Sequence, residues 1–576
     1  MFRYNTLLLR QGRSISRPTS LRAGGGGSIG RLCVAHHAFQ TPSHRTISFR
    51  SVAGPPKGYS QSLEALREEE YPHMRNGVYL DHSGATIYAQ STVDGFARKM
   101  SSGLYGNPHS ANEPAKQSGE VVDGVREKTL RFLGADPKHF DLVFVANATA
   151  GIKLVADAFR DLAEKTTTRS FWYGYHKESH TSLVGVRELT NGDHHCFERD
   201  GDLASWLEEP RGGPGARHNV NRRHTTGLGL LAYPGQSNLS GRRLPLSWTK
   251  KLRDSKPLQN TYSLLDAAAL AMTSPMEHVF ADPDAAPDFA CVSFYKIFGF
   301  PDLGGLVVRR DSGHILTLRK YFGGGTVTMV SAVGGAWHKS KGLEVATAGQ
   351  GYALHDALED GTLPFHNILA LGEAIDVHQR LYGSMAAVSR HTTGLARMLY
   401  EGMSSLRHAN GQRACRVYGG EDADDAFGDP LRQGATVAFN LVREDGSYVP
   451  YSDVEKAAND HGIYIRSGGI CCPGGLFAAL QYEPWELDRA RSAGHHCGSD
   501  GLSLIHQLPT GVVRASLGAM STRKDVDALV AFLDEAYVSA GKSVATVPAS
   551  PSHEDDDAEV GHAGGAICVP PAYSFG

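Results

Sequence analysis

Asp288-Phe-Ala-Cys-Val-Ser-Phe-Tyr-Lys296-Ile-Phe-Gly-Phe300 is an apolar run that ends on a lysine. Thirty residues upstream of Lys296, Tyr262-Ser-Leu-Leu-Asp266-Ala-Ala-Ala ends a second apolar run on an acid. Two short apolar runs of this kind read as buried strands of a sheet covered on both faces. One delivers an acid and the other delivers Ser-x-x-Lys. That pairing suits an enzyme that holds pyridoxal 5′-phosphate (PLP). The lysine amine attaches the cofactor, and the acid keeps the pyridine nitrogen protonated so that the ring draws electrons.

Outward from these runs, short apolar stretches alternate with helix-like segments from Tyr79 onward. This predicts βα units and an α/β fold with a mostly parallel sheet. Asp141-Leu-Val-Phe-Val-Ala146 is expected as a strand leading into a helix near Thr149, and Leu228–Tyr233 and Gly304–Val308 as further strands. After Pro364, Ile368, Leu371 and Ile375 recur at helical spacing. The expected division is a large domain over 58–365 and a smaller α+β domain over 366–541. Thr522-Arg-Lys-Asp525 has the logic of a capping box and opens a helix with Val526, Leu529, Val530 and Leu533 on one face. Residues 207–226 read as a surface insertion.

The 576 residues carry 58 Lys and Arg against 61 Asp and Glu, a net charge of −3. That balance offers no general attraction for nucleic acid or membrane. No stretch approaches the roughly eighteen apolar residues of a membrane-spanning helix. Eight cysteines in so long a chain suggest a reducing compartment rather than a disulfide scaffold. Residues 1–57 hold nine Lys or Arg and no acid. They read either as a disordered extension, with the protein in the cytoplasm, or as a targeting segment for the mitochondrial matrix. Residues 542–576 are rich in Pro, Ser and acids and are expected to be disordered.

Several further segments carry chemistry. Ala146-Asn147-Ala148-Thr149-Ala150-Gly151 joins a strand to a helix, where small residues let backbone N–H groups and a hydroxyl approach a phosphate. A plain strand–helix turn has the same look. Ser293 is a candidate second phosphate hydroxyl. His180 in Lys177-Glu-Ser-His180 is suited to stacking on a ring and moving protons. His176 is its rival. Gln236-Ser-Asn238 offers amide donors for a ring hydroxyl. In Arg466-Ser-Gly-Gly-Ile-Cys471-Cys-Pro-Gly-Gly475, glycines give a mobile loop, and Arg466 favours thiolate at Cys471. The adjacent Cys472 leaves disulfide or metal readings open, although zinc would need more ligands than His495-His-Cys497 supplies at that spacing. Arg514, in Thr510-Gly-Val-Val-Arg514, is suited to clamping a carboxylate through two parallel hydrogen bonds. A surface ion pair is its plainer reading.

Taken in order, these segments resemble the class V aminotransferase superfamily and its cysteine desulfurases. Tyr79-Leu-Asp-His-Ser-Gly-Ala-Thr86, Tyr105-Gly-Asn-Pro-His-Ser110, Glu359-Asp-Gly-Thr-Leu-Pro364 and Arg514–Thr522 carry the likeness over about residues 77–540. Within that group the chain is most similar to the amino-terminal part of the eukaryotic molybdenum cofactor sulfurase family. Tyr295 stands where iron–sulfur desulfurases have His. Pro234–Gly241 and Gly494-His-His-Cys-Gly498 point the same way.

The resemblance implies a PLP-dependent transferase of fold type I. It makes Lys296 the anchoring lysine, Asp266 the partner of the pyridine nitrogen and His180 the ring-stacking group. Ala148, Thr149 and Ser293 would hold the phosphate, and Asn238 would contact the ring hydroxyl and substrate. Thr326, in Gly323-Gly-Gly-Thr326, would reach the phosphate of a second subunit across a homodimer. Arg514 would bind the carboxylate of L-cysteine, and Cys471 would accept its sulfur as a persulfide. The position after Cys471, commonly Asn in this family, is Cys472 here, which keeps both thiols open as carriers.

Family members continue into a domain that binds the molybdenum cofactor. Sulfur mobilisation is therefore the primary expectation, and the sulfur would reach the molybdenum cofactor or a protein carrying it. A stand-alone cysteine desulfurase or selenocysteine lyase is the nearest alternative. A non-catalytic PLP-fold scaffold is an alternative of a different class.

Overall fold

The computed structural model describes residues 62–166, 169–210, 227–342, 353–419, 423–496 and 501–539. The expected extension 1–57, the tail 542–576, most of the insertion and Cys497 lie outside the described residues.

The large domain is built on a seven-stranded sheet. In chain order its strands are Phe140–Val145 (β1), Trp172–His176 (β2), His194–Phe197 (β3), Gly229–Pro234 (β4), Thr261–Asp266 (β5), Phe289–Ser293 (β6) and Gly304–Arg309 (β7). Across the sheet they run β1-β7-β6-β5-β4-β2-β3. Only β7 is antiparallel, to β1 on one side and β6 on the other. The expected α/β architecture with a mostly parallel mixed sheet is what the chain adopts.

The strands read as unbroken apolar runs because alternate side chains enter different cores. Ala290 and Val292 pack in one cluster, while Phe289 and Cys291 pack in the other. Leu265 and Leu264 divide in the same way. Each fully buried Leu or Phe contributes about 1.5–3 kcal/mol, so both faces hold the sheet in register. Two helices matter for the cofactor edge and its support: Glu113–Phe132 (α1) and Ala148–Ala163 (α2). Asn147 caps α2, its side-chain oxygen accepting from Ala150 N at 3.0 Å. Gly304 belongs beside that cap, since a Cβ there would come within 2.6 Å of the Asn147 backbone.

Phe365–Tyr382 (α3) buries Ile368, Leu371 and Ile375 against the large-domain core. The small domain has a four-stranded antiparallel sheet of Cys415–Tyr418 (β8), Thr436–Leu441 (β9), Arg466–Gly468 (β10) and Val512–Ser516 (β11), ordered β8-β9-β11-β10. Met385–Ser405 (α4) and Arg523–Asp534 (α5) cover it. Asp525 caps α5 as expected, accepting from Thr522 N at 2.7 Å.

The amino-terminal arm crosses the division. Val78 and Tyr79 pair with Ile463 and Tyr464, and Asp81 bridges Ser516. Residues near 80 are thereby laid against segments near 464 and 516.

Candidate active site

β5 and β6 are parallel neighbours, so their carboxyl ends emerge side by side. β5 ends on Asp266, and β6 runs through Ser293 into the short turn that holds Lys296. Loops at this edge of a parallel sheet form a crevice outside the strand ends, where ligands of open α/β sheets bind. Ala148, Thr149, His180, Asn238, Asp266, Ser293 and Lys296 all line one cavity there. Seven residues drawn from widely separated segments thus share one wall.

Burial lowers the Lys296 amine to about 8, an effect that Asp266 partly opposes. A neutral amine is the form able to add to an aldehyde. Asp266 is buried and accepts from Ala268 N at 3.0 Å. At the start of α2, Ser293 Oγ accepts from Ala148 N at 3.0 Å, and Thr149 and Ser182 hydroxyls meet at 2.8 Å. This corner unites hydroxyls with the positive end of a sixteen-residue helix.

His180, not His176, belongs to the cavity. His180 stands past the end of β2, its Nδ1 accepting from Ser182 N at 3.1 Å. His176 is the last residue of β2 and is fully buried. Its Nε2 lies 3.2 Å from Asp200 and its ring packs near Trp248. Asn238 differs from the expected amide donor. Its Nδ2 donates to Ile470 O at 2.8 Å, while its buried Oδ1 has no hydrogen-bond partner. It therefore offers the cavity an acceptor. Gln236, which also lines the cavity, presents the buried Nε2 that lacks a partner.

Arg514 is fully buried rather than a surface residue, and its fork is largely committed. Nη2 donates to Asp81 Oδ1 at 2.7 Å and Nη1 to Asn238 O at 3.0 Å. Nε is buried without a partner. The expected open two-pronged clamp is already engaged by a carboxylate of the chain itself. Thr326 does not line this cavity. Its hydroxyl donates to Gly323 O at 3.0 Å and lies 3.5 Å from Asp360.

The loop after β10 brings Cys471 to the cavity edge. A hydrogen bond with His180 is the main influence lowering the Cys471 thiol, opposed by partial burial and assisted by Arg466 and Arg514. Arg466 Nη2 is 3.8 Å from Cys471 Sγ. Cys472 faces the other way. It is fully buried, its thiol donates to Glu178 O at 3.4 Å, and burial with the Glu178 charge pushes it well up. Of the two thiols, Cys471 is the one shifted toward easier ionisation. Among the described residues, no group of three His, Cys, Asp or Glu is arranged to hold a metal.

The donor set fits PLP. It combines an amine near neutrality, a buried acid, phosphate-type donors at a helix start, an imidazole, and unpartnered Asn238 Oδ1 and Gln236 Nε2. Glu178 and Ser182 line the cavity and Asp81 engages Arg514, and sequence reasoning singled out none of these three. Only Asp81 carried a signal, inside the Tyr79–Thr86 block.

The family defined as aminotransferase class-V matches residues 78–529. The chain belongs to the class-V aminotransferase family. Among curated proteins it is similar to the molybdenum cofactor sulfurase of Aspergillus terreus, at 46% identity over 92% of this chain and 60% of that protein. It is also similar to the protein of that name in Botryotinia fuckeliana, at 48% identity over 83% of this chain and 56% of that protein. The chain thus spans under two thirds of the length of these relatives. Among solved structures it is similar to the apo cysteine desulfurase of Thermococcus onnurineus, with TM-score 0.59, 18% identity, and 82% and 98% of the two chains covered. The Escherichia coli cysteine desulfurase CsdA gives TM-score 0.58 at 18% identity over 83% and 98%. At that identity the likeness is one of fold, the fold type I expected above.

Proposed function

We propose that the chain is a PLP-dependent L-cysteine desulfurase of the molybdenum cofactor sulfurase type. The observation that carries this reading is the Cys471 thiol, held by His180 and Arg466 at the edge of the cavity that contains Lys296 and Asp266. An aminotransferase has no use for an activated thiol there.

When bound, PLP supplies an electron sink for charge developing at the α-carbon of an attached amino acid. Asp266 would keep the pyridine nitrogen protonated. Ala148, Thr149 and Ser293 would hold the phosphate of PLP, and His180 would stack on its ring. Lys296 would anchor the cofactor, and burial, which brings its amine down to about 8, suits it to accept a proton. Arg514 orients the substrate carboxylate, with Asn238 beside it. Cys471 thiolate takes the sulfur. Its S–S bond forms as the C–S bond of L-cysteine breaks, and the carbon gains a proton. The net change is L-cysteine plus thiol to L-alanine plus persulfide, with no outside oxidant or reductant.

The relatives' names support the molybdenum cofactor, or a protein carrying it, as the destination of the sulfur. On this reading the protein works as a homodimer, and Thr326 serves the cavity of a second copy. Support comes from the hairpin just after Thr326, where Met329, Val330, Val333 and Trp337 are exposed. Cys196, Cys291, Cys415, Cys471 and Cys472 are free thiols, which suits a reducing compartment. The cytoplasm is the assigned one, with the mitochondrial matrix as alternative. No helix among the described residues is long and apolar enough to cross a membrane.

The test is L-alanine release from L-cysteine by the PLP-loaded chain, with Lys296→Ala as control. Stoichiometric or catalytic alanine from the wild type, lost in Lys296→Ala, is expected. Equal alanine from both would overturn the reading.

A further inference from the structure

Ile470 and Cys471 both have left-handed backbone, with φ of 52° and 53°. Among the described residues Ile470 is the only β-branched residue with positive φ. In that region the Cβ crowds the following carbonyl, so the conformation persists only where the surroundings hold it. Backbone of this kind, directly beside a reacting group, is a mark of positioning.

Two segments of the large domain do the holding. Asn238 Nδ2 donates to Ile470 O at 2.8 Å, and Thr181 N donates to Cys471 O at 2.9 Å. Successive carbonyls of the left-handed pair are each taken by a donor from across the domain division. The Ile470 side chain is buried in a cluster with Leu239, the neighbour of Asn238, and with Leu476 and Val512 of the small domain. Asn238 is steadied in turn, because its own carbonyl accepts from Arg514 Nη1 at 3.0 Å. Its amide nitrogen is directed to the loop, and only its Oδ1 lacks a partner. Thr181 directly follows His180, so residues 180 and 181 address both the thiol and the carbonyl of Cys471.

We propose that Asn238 is a positioning residue for sulfur transfer, a latch whose amide holds the Ile470–Cys471 backbone left-handed and so keeps the Cys471 thiol beside His180 and Arg466. This rests on the reading of Cys471 as the sulfur acceptor. Without the latch the pair relaxes to negative φ, which carries Sγ away from the imidazole. The thiol then loses the main influence that favours its ionisation, with Arg466 and Arg514 as the lesser ones. The resemblance gives Asn238 to the cofactor and substrate; the latch gives its amide nitrogen to the nucleophile instead.

The test is the rate of iodoacetamide labelling of Cys471 against pH in the cofactor-free full chain, read by peptide mass spectrometry. Asn238→Ala is expected to slow labelling several-fold at pH 7 and not at high pH, where the thiolate forms regardless. Glycine takes left-handed backbone at no steric cost, so adding Ile470→Gly to Asn238→Ala should recover most of the pH 7 rate. Hydrogen–deuterium exchange in the peptide spanning residues 466–475 should quicken several-fold in Asn238→Ala. An unchanged pH profile or unchanged exchange in that variant would overturn the latch. So would a slowing that Ile470→Gly does not recover, which would place the effect in the cavity wall rather than in the loop. Equal slowing at every pH would also overturn it, as a loss of access. Alanine release is a separate readout: its absence from the wild type would sink the desulfurase reading, while the labelling would still decide the latch.

Discussion

Arg514 Nη2 stands 2.7 Å from Asp81 Oδ1. One comes from the small-domain sheet and the other from the amino-terminal arm. A buried guanidinium without an anion is costly, and here Asp81 supplies the anion. Removing one partner of such a pair typically costs about 3 kcal/mol or more. Asp81→Ala should therefore lower thermal stability. Added L-alanine, a product-like carboxylate, should raise its midpoint more than it raises the wild type's. Equal shifts would show that Asp81 does not stand in for the substrate. Arg514→Lys should raise KM for L-cysteine well beyond any loss in kcat, because a point charge replaces the fork.

The Lys296 amine has a definite pH signature. Burial moves it down to about 8, so its neutral fraction rises as pH climbs through that value rather than through the ordinary lysine range. In cofactor-free protein, acetylation of Lys296 followed by mass spectrometry should show that midpoint. Asp266 raises the Lys296 value, so Asp266→Asn should move the midpoint lower. An upward move would mean the two groups do not communicate as described.

Cys471 and Cys472 should separate cleanly by reactivity. Iodoacetamide at neutral pH should label Cys471 rapidly and leave Cys472 untouched until the chain unfolds. His180 is the largest influence holding the Cys471 thiol down. His180→Ala should therefore slow Cys471 labelling several-fold at pH 7 and have little effect at high pH, where the thiolate forms regardless. A uniform slowing at all pH values would point to access rather than ionisation.

The lysine, the acid and the sheet were legible in the sequence because each depends on a local pattern. Apolar runs of strand length ended on Asp266 and reached Lys296, and the structure places those ends on neighbouring strands. Arg514 was legible as a carboxylate clamp, but its burial and its partner were not. Asp81 meets it only because the arm pairs with strands laid down at the far end of the chain. The choice between His176 and His180 was also beyond pattern. It turns on where β2 stops, and four residues decide which imidazole faces the cavity and which faces Asp200. Asn238 was found, yet its amide direction depends on Ile470 O, a contact between segments over two hundred residues apart. The same holds for the two thiols. Adjacent in sequence, they are distinguished by the left-handed backbone at Ile470 and Cys471 (φ 52° and 53°), which turns their side chains to opposite sides.

The most direct measurement of the central claim is protein-bound sulfane sulfur after L-cysteine is added to the PLP-loaded chain, comparing wild type with Cys471→Ala. About one persulfide per wild-type chain is expected, in step with the first alanine released, and none on Cys471→Ala. Undiminished persulfide in Cys471→Ala would contradict it.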